Sequence, residues 1–227
     1  LPGFSIFRRP ITNKYPYQVV NLIDVFNYII SDYAKDRTRE YRSIKDERYR
    51  RQYKSDKFDY CTFSGIFSMR TDKAIIQHSG YLCLDFDHLK DVEAVFEALK
   101  EDPYFETLLL FRSPSGDGLK WVVEIDISRY SHLQWFRMIE KYLKEAYNLE
   151  VDASGKNVSR ACFLPYDPDC YIIDPNKKVV KREFDCEHWL SENEGKTMTV
   201  GNGEWYIENH VLYRNDKPDA ACLDEMS

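Results

Sequence analysis

Two aspartates set one residue apart close a hydrophobic run in YLCLDFDHLK, residues 81 to 90. In an extended strand side chains alternate faces, so Asp85 and Asp87 share a face with Tyr81 and Cys83, while Leu82, Leu84 and Phe86 take the other. Carboxylates placed this way repel unless a cation sits between them or solvent separates them, and the spacing leaves both open. A third carboxylate, Asp152 in LEVDASGKNVSR, would complete a hard-oxygen cradle for Mg²⁺ or Mn²⁺. Two such ions can clamp the attacking hydroxyl and the leaving pyrophosphate of a phosphoryl transfer. The segment SPSGDGLK supplies Ser113, Ser115, Gly116 and Gly118, small residues whose backbone N–H groups can nest around phosphate oxygens. Lys120 adds a point charge to such a cradle, and Arg160 can fork onto a phosphate. Plainer readings stand beside these. SGDG makes a good hairpin turn, which is the assignment for Asp117, and Asp152 can cap the turn that precedes SGKN. His78 and His88 flank the carboxylate strand and are assigned structural roles, with His78 the better candidate ligand.

The elements that would carry these residues are legible over 90 residues. YLCLDFD reads as a strand, DVEAVFEALKED as a helix, TLLLFRS and GLKWVVEID as strands about the tight turn, SHLQWFRMIEKYLKEAY as an amphipathic helix opened by Ser131, and SRACFLPYD as a last short strand. The order predicts an α+β fold with an RRM-like or ferredoxin-like β-α-β-β-α-β core. In that plan strands one and two run one way and strands three and four the other. The end of strand one, the turn from Ser113 to Gly118 and the segment from Asp152 to Arg160 then meet at one end of the sheet. Helices would cover the face of Leu82, Leu84 and Phe86, leaving Asp85, Asp87 and Lys120 on a helix-free face. Convergence of distant polar segments marks a site.

Ahead of the core, helical spacing in QVVNLIDVFNYIISDY predicts a helix over 18–33, and a charged helix follows over about 35–55. FDYCTFSGIFSMR and KAIIQHS are two short strand candidates. This divides the chain into an N-terminal extension (1–57), a catalytic core (58–175) and a C-terminal helix with a tail (176–227). The tail is expected to form a hairpin or a linker toward a further domain.

Bulk composition bounds the function. An apolar content of 43% with 15% aromatic residues is that of a globular protein. No apolar run reaches the ~18 residues of a membrane span, and nothing after the initial LPGF supports a signal peptide. The six cysteines carry no CxxC or paired-His spacing, which argues against zinc; Cys83 and Cys162 read as reduced core thiols of a cytoplasmic protein. A net charge of −6 argues against bulk nucleic-acid binding, yet Lys35 to Lys57 holds ten basic against five acidic residues. Tyr41, Tyr49 and Tyr53 interleave them. Such a segment suits a surface that tracks a nucleic-acid backbone through Arg48, Arg50 and Arg51, or else a solvated helix laced with ion pairs.

LCLDFD, SPSGDGLK and VDASGKNVSRACFLPYDPD, in this order, resemble the three motifs of the archaeo-eukaryotic primase superfamily. The nearest likeness is to the VirE N-terminal-type domain of bacterial mobile-element proteins, which stands upstream of helicase or ATPase modules. FSGIFSMR and IIQHSGYLCLDFD resemble the lead-in of that domain, and the likeness covers roughly residues 15 to 175. It implies a divalent metal pair and template-directed nucleotidyl transfer from nucleoside triphosphates, with single-stranded DNA as template. Asp85, Asp87 and Asp152 match the metal carboxylates; Ser115, Gly116 and Gly118 match the phosphate loop; Arg160 matches the third motif. Lys120 stands where active primase-polymerases place a histidine. Lysine still favours phosphate but cannot act as a neutral imidazole. The alternative expectation is a catalytically degenerate primase fold that docks nucleic acid or protein. A metal-dependent nuclease lacks a separate motif here, and relaxase chemistry lacks a His-x-His pair.

Overall fold

A computed structural model describes residues 1–174 and 180–190, together with four strands between residues 197 and 218. The chain opens with β1 (Phe4–Phe7) and β2 (Gln18–Val20), an antiparallel pair. Asn21 ends the strand. Its side chain accepts the Ile23 and Asp24 N–H groups while Asp24 accepts the Asn21 N–H, a capping box that starts α1 (Leu22–Ile30) later than the apolar spacing predicts. The single charged helix expected over 35–55 is two, α2 (Lys35–Ser43) and α3 (Glu47–Lys57). Ile44 is extended, and Asp46 caps a fresh start by accepting the Tyr49 N–H at 2.7 Å. Rings close the resulting helical hairpin: Tyr41 lies 6.4 Å from Tyr53 and 5.6 Å from Phe58. These three are its buried anchors.

Three short strands follow, β3 (Tyr60–Thr62), β4 (Gly65–Phe67) and β5 (Ile75–His78). Then come β6 (Tyr81–Phe86), α4 (Val92–Lys100), β7 (Thr107–Arg112), β8 (Leu119–Glu124) and α5 (His132–Tyr147), in the order that the sequence predicts. Asp91 caps α4, and Ser131 with Gln134 forms a capping box on α5. A 3-10 turn, Ala153–Lys156, leads to β9 (Cys162–Phe163), β10 (Tyr171–Ile172) and α6 (Cys186–Trp189). β11 (Thr197–Val200), β12 (Gly203–Glu208), β13 (Val211–Arg214) and β14 (Lys217–Pro218) pair antiparallel in sequence order. The expected hairpin of the tail is the β12–β13 pair. The boundary at Pro175 and Cys222 lie outside the described residues.

The protein is α+β, with a central antiparallel sheet of order β10-β7-β8-β6 and a second sheet of order β2-β1-β3-β9. Two expectations need correction. A fourth strand should flank the first, yet β9 pairs with β3 (Tyr60 opposite Phe163, Cys61 opposite Cys162), and β10 lies beside β7 instead. The edge of β6 is therefore left open for a non-strand segment. Nor is the second face of the sheet free of helices. Leu82, Leu84 and Phe86 do pack with Phe96, Leu99 and Phe136 of α4 and α5, but Tyr81, Leu109, Phe111 and Val122 on the opposite face pack with Phe4 of β1 and Leu22, Val25 and Ile29 of α1. Each face of β7 and β8 is apolar because each is covered. The carboxylates thus sit at the rim of a sheet buried on both sides.

Cys61, Cys83, Cys162, Cys170 and Cys186 are free thiols. Burial pushes Cys61 up from the ordinary thiol range, and a hydrogen bond with the Cys162 thiol together with burial does the same for Cys83. Among the described residues no helix is long and apolar enough to cross a membrane.

Candidate functional site

Strand register sets the centre of the site. Asp85 of β6 stands directly opposite Lys120 of β8, on the face that carries Cys83 and Val122, and the Lys120 ammonium contacts Asp85 Oδ1. Both side chains are nearly out of solvent, 14% and 9% exposed, so the pair acts in a weakly screened environment. Burial opposes the charge of Lys120, but Asp85 together with Cys162 and Asp87 holds the ammonium above its ordinary pKa. Burial also pushes the Asp85 carboxyl up, against the pull of Lys120 and with the help of Asp87.

Asp152 reaches this centre through the open edge of β6, where its N–H donates to the Asp85 carbonyl at 2.8 Å. One oxygen accepts the Ser154 N–H at 2.9 Å, and the other accepts from Arg160 at 2.7 Å. The turn-capping reading of Asp152 therefore holds on one oxygen, while the other is engaged by Arg160. Burial would raise this carboxyl, but Ser154 and Arg160 keep it below the usual range. Arg160 also stands 3.9 Å from Asp85 Oδ2. Asp87 is exposed just past the end of β6. One oxygen from each of Asp85, Asp87 and Asp152 lies within 4.8 Å of the others. Three carboxylate donors so close, one of them solvent-facing, could hold a metal ion.

The SPSGDGLK turn is built for close approach. The Ser113 N–H donates to the Gly118 carbonyl at 2.8 Å, and the Gly116 N–H closes the turn on Ser113 at 2.9 Å. Gly116 has φ +86°, a conformation costly for other residues. At Gly118 a Cβ would fall 2.2 Å from the Phe86 carbonyl oxygen. Ser113 and Ser115 hydroxyls lie 2.8 Å apart, Ser115 donates to Asp117, and His88 meets the other Asp117 oxygen at 3.0 Å. Burial notwithstanding, Ser115 and His88 hold Asp117 below its ordinary pKa. Its role is to brace the turn.

Ser113, Ser115, Lys120 and Arg160 line a single cleft with Asp85 and Asp87; Gly116 and Gly118 belong to the same turn but do not line it. The sequence reading missed the opposite wall, which Tyr41, Lys54 and Phe163 provide. Arg42 ties that wall to the turn by donating to the Pro114 carbonyl at 3.1 Å. Arg50 and Lys54 share a helical stripe, spaced four apart, but no local signal says that the stripe faces the sheet. The three arginines expected on nucleic acid are not equivalent. Arg48 and Arg51 are exposed, Arg51 lying 3.7 Å from Glu47; Arg50 sits 4.9 Å over the Tyr41 ring.

His132 was also missed. Its Nε2 meets the Gly155 carbonyl at 3.1 Å, so Nε2 carries the proton and Nδ1 accepts from His78 Nε2 at 3.1 Å; His78 Nδ1 accepts the Gly80 N–H at 2.9 Å. The chain of bonds fixes both tautomers. Burial pulls His132 down to about 4. This relay anchors the turn that bears Asp152, and His78 is structural as expected.

A family model, the BT4734-like N-terminal domain, matches residues 53–172. The chain belongs to that family. The matched residues of this BT4734-like domain include Lys54, the three aspartates, the SPSGDGLK turn and Arg160, whereas Tyr41 precedes them. No curated protein and no solved structure matches the chain.

Proposed function

We propose that this BT4734-like domain binds a nucleoside triphosphate with a divalent ion and carries out template-directed nucleotidyl transfer, as a cytoplasmic primase-polymerase-like module of mobile-element replication. The observation that supports it best is the meeting of Asp85, Asp87 and Asp152 within 4.8 Å of one another, beside a serine- and glycine-lined turn. The order of the three motifs supports the finer likeness to VirE N-terminal-type primases. Asp85, Asp87 and Asp152 would hold Mg²⁺ or Mn²⁺, which when bound supplies charge neutralisation to the phosphates. Arg160 keeps Asp152 ionised and aimed, and Lys120 keeps Asp85 in place. Single-stranded DNA is the template of this reading, and a helicase or ATPase module its companion.

A second reading draws on the Lys120–Asp85 contact. An internal cation already neutralises the inner carboxylate, as suits a degenerate site that docks nucleic acid or protein without chemistry. Primer extension and de novo synthesis with Mg²⁺ and with Mn²⁺ separate the two, comparing wild type with Asp85→Ala/Asp87→Ala. Synthesis by the wild type that the double variant loses is the expected result. Absence of synthesis with retained nucleic-acid binding selects the second reading.

A further inference from the structure

Five charged side chains line the cleft between β6 and the α2–α3 hairpin, and Asp152 joins them through Arg160. Asp85, Asp87 and Asp152 are balanced by Lys120, Arg160 and Lys54, so the assembly is neutral. Two of the cations are matched, Lys120 by Asp85 and Arg160 by Asp152. Lys54 is not. Among the described residues its ammonium makes no ion pair and no hydrogen bond, and its only close partner is the Phe163 ring at 5.7 Å. Burial first and Lys120 second hold its pKa below the ordinary lysine value, although Asp87 and Asp85 pull the other way. A half-buried cation with no ion-pair partner of its own has the most to gain when an anion arrives.

The position is also rigid. Tyr53, next in the chain, is buried and donates to Glu40 at 2.8 Å, fixing α3 against α2. A second, roomier cavity of about 560 Å³ opens on the far side of Asp87, between α4 and the end of α5. Leu89, Val95 and Leu149 line it, and its acids Asp87, Asp91 and Glu150 outnumber Lys90, a balance that disfavours phosphate. The Lys54 side is therefore the one suited to anionic oxygens.

We propose that Lys54 is the phosphate-binding cation of the site, meeting a nucleoside triphosphate's phosphates across the cleft from the carboxylates. The inference rests on the nucleotide-binding reading above and adds a residue and a direction to it. A divalent ion on the carboxylates makes the neutral cleft positive by two charges, so metal would bind first and the polyphosphate second. Lys120, buried in its own ion pair, then serves Asp85 more than the phosphates.

Calorimetry with magnesium tripolyphosphate and with magnesium ATP tests this on the full chain. Lys54→Met keeps the apolar stem over Phe163 and removes the charge; it should weaken both ligands by about tenfold or more, the size of one lost charge-assisted contact. Lys54→Arg should restore most of the affinity, and Lys57→Met, on the same helix but exposed, should bind as wild type. Mn²⁺ affinity without phosphate, read by electron paramagnetic resonance, should be unchanged or tighter in Lys54→Met. Lys54→Gln takes the place of Lys54→Met if the latter does not fold. Equal tripolyphosphate affinity in wild type and Lys54→Met overturns the inference and leaves the nucleotide-binding reading standing. Parallel loss of Mn²⁺ overturns it as well, by showing that the site has collapsed. A wild type that binds neither tripolyphosphate nor ATP removes the nucleotide-binding reading, and this inference with it.

Discussion

The β6–β8 ladder and the α2–α3 hairpin hold charge in opposite ways. On the ladder, Asp85 and Lys120 are opposed by backbone register and nearly removed from solvent. On the hairpin, ten basic residues stand among five acidic ones, and most lie in water, with Tyr41, Tyr53 and Phe58 doing the packing. Charge type therefore says little about charge role. A buried pair is a structural commitment, because loss of one partner strands the other, whereas an exposed charge matters for what it meets in solution. Lys54 is the exception that links the regions, a hairpin cation turned onto the ladder's carboxylates.

The largest effect expected from this contrast is at the ladder. Lys120→Ala leaves Asp85 buried beside Asp87 without its counter-ion and should cost about 3–5 kcal/mol in urea unfolding. Mn²⁺ should restabilise this variant more than it does the wild type. Lys120→Met combined with Asp85→Leu should recover much of the loss; a double variant as unstable as the single one would show that the contact is not the cause.

His132 gives the next effect, as a pH dependence. Its folded pKa, about 4, lies below the usual histidine value, so the unfolded chain takes up a proton first as pH falls. Stability from this group is complete above about pH 6.5 and declines as pH falls toward 4, by up to about 3 kcal/mol at 1.36 kcal/mol per pKa unit. Unfolding at several pH values should show this slope in wild type, and His132→Asn should lack it while being less stable at neutral pH.

Gly118→Ala should cost about 1–3 kcal/mol, since β6 must move to admit the Cβ beside the Phe86 carbonyl. Thermal unfolding reads it directly. An unchanged midpoint would mean that the turn is looser than its geometry shows.

The smallest stability effect belongs to the hairpin surface. Arg48→Ala with Arg51→Ala should leave the unfolding midpoint unmoved. If α3 tracks a nucleic-acid backbone, the same pair should lower the slope of log K against log salt by about two units, roughly one per lost phosphate contact. Arg50 is left out of that count because it packs on Tyr41. Nucleic-acid binding with an unaltered slope returns the segment to a solvated, ion-paired surface.

The sequence by itself determined what is local. Alternation in YLCLDFD and LKWVVEID put Asp85 and Lys120 on one face of their strands, and Ser131 marked the start of α5, because periodicity and capping act within a few residues. It also nominated Asp87, Asp152, the SPSGDGLK turn and Arg160 by type and spacing. Only the tertiary structure decided where the last segments go. β9 joins the second sheet, beside β3, and Asp152 docks on the exposed edge of β6 through one backbone hydrogen bond. Two-residue strands carry too little pattern to announce a partner. The inward turn of Lys54 and the His78–His132–Gly155 relay were equally hidden. Each depends on contacts between elements far apart in the chain, and a lone lysine or histidine looks the same in sequence whether it faces water or a cleft.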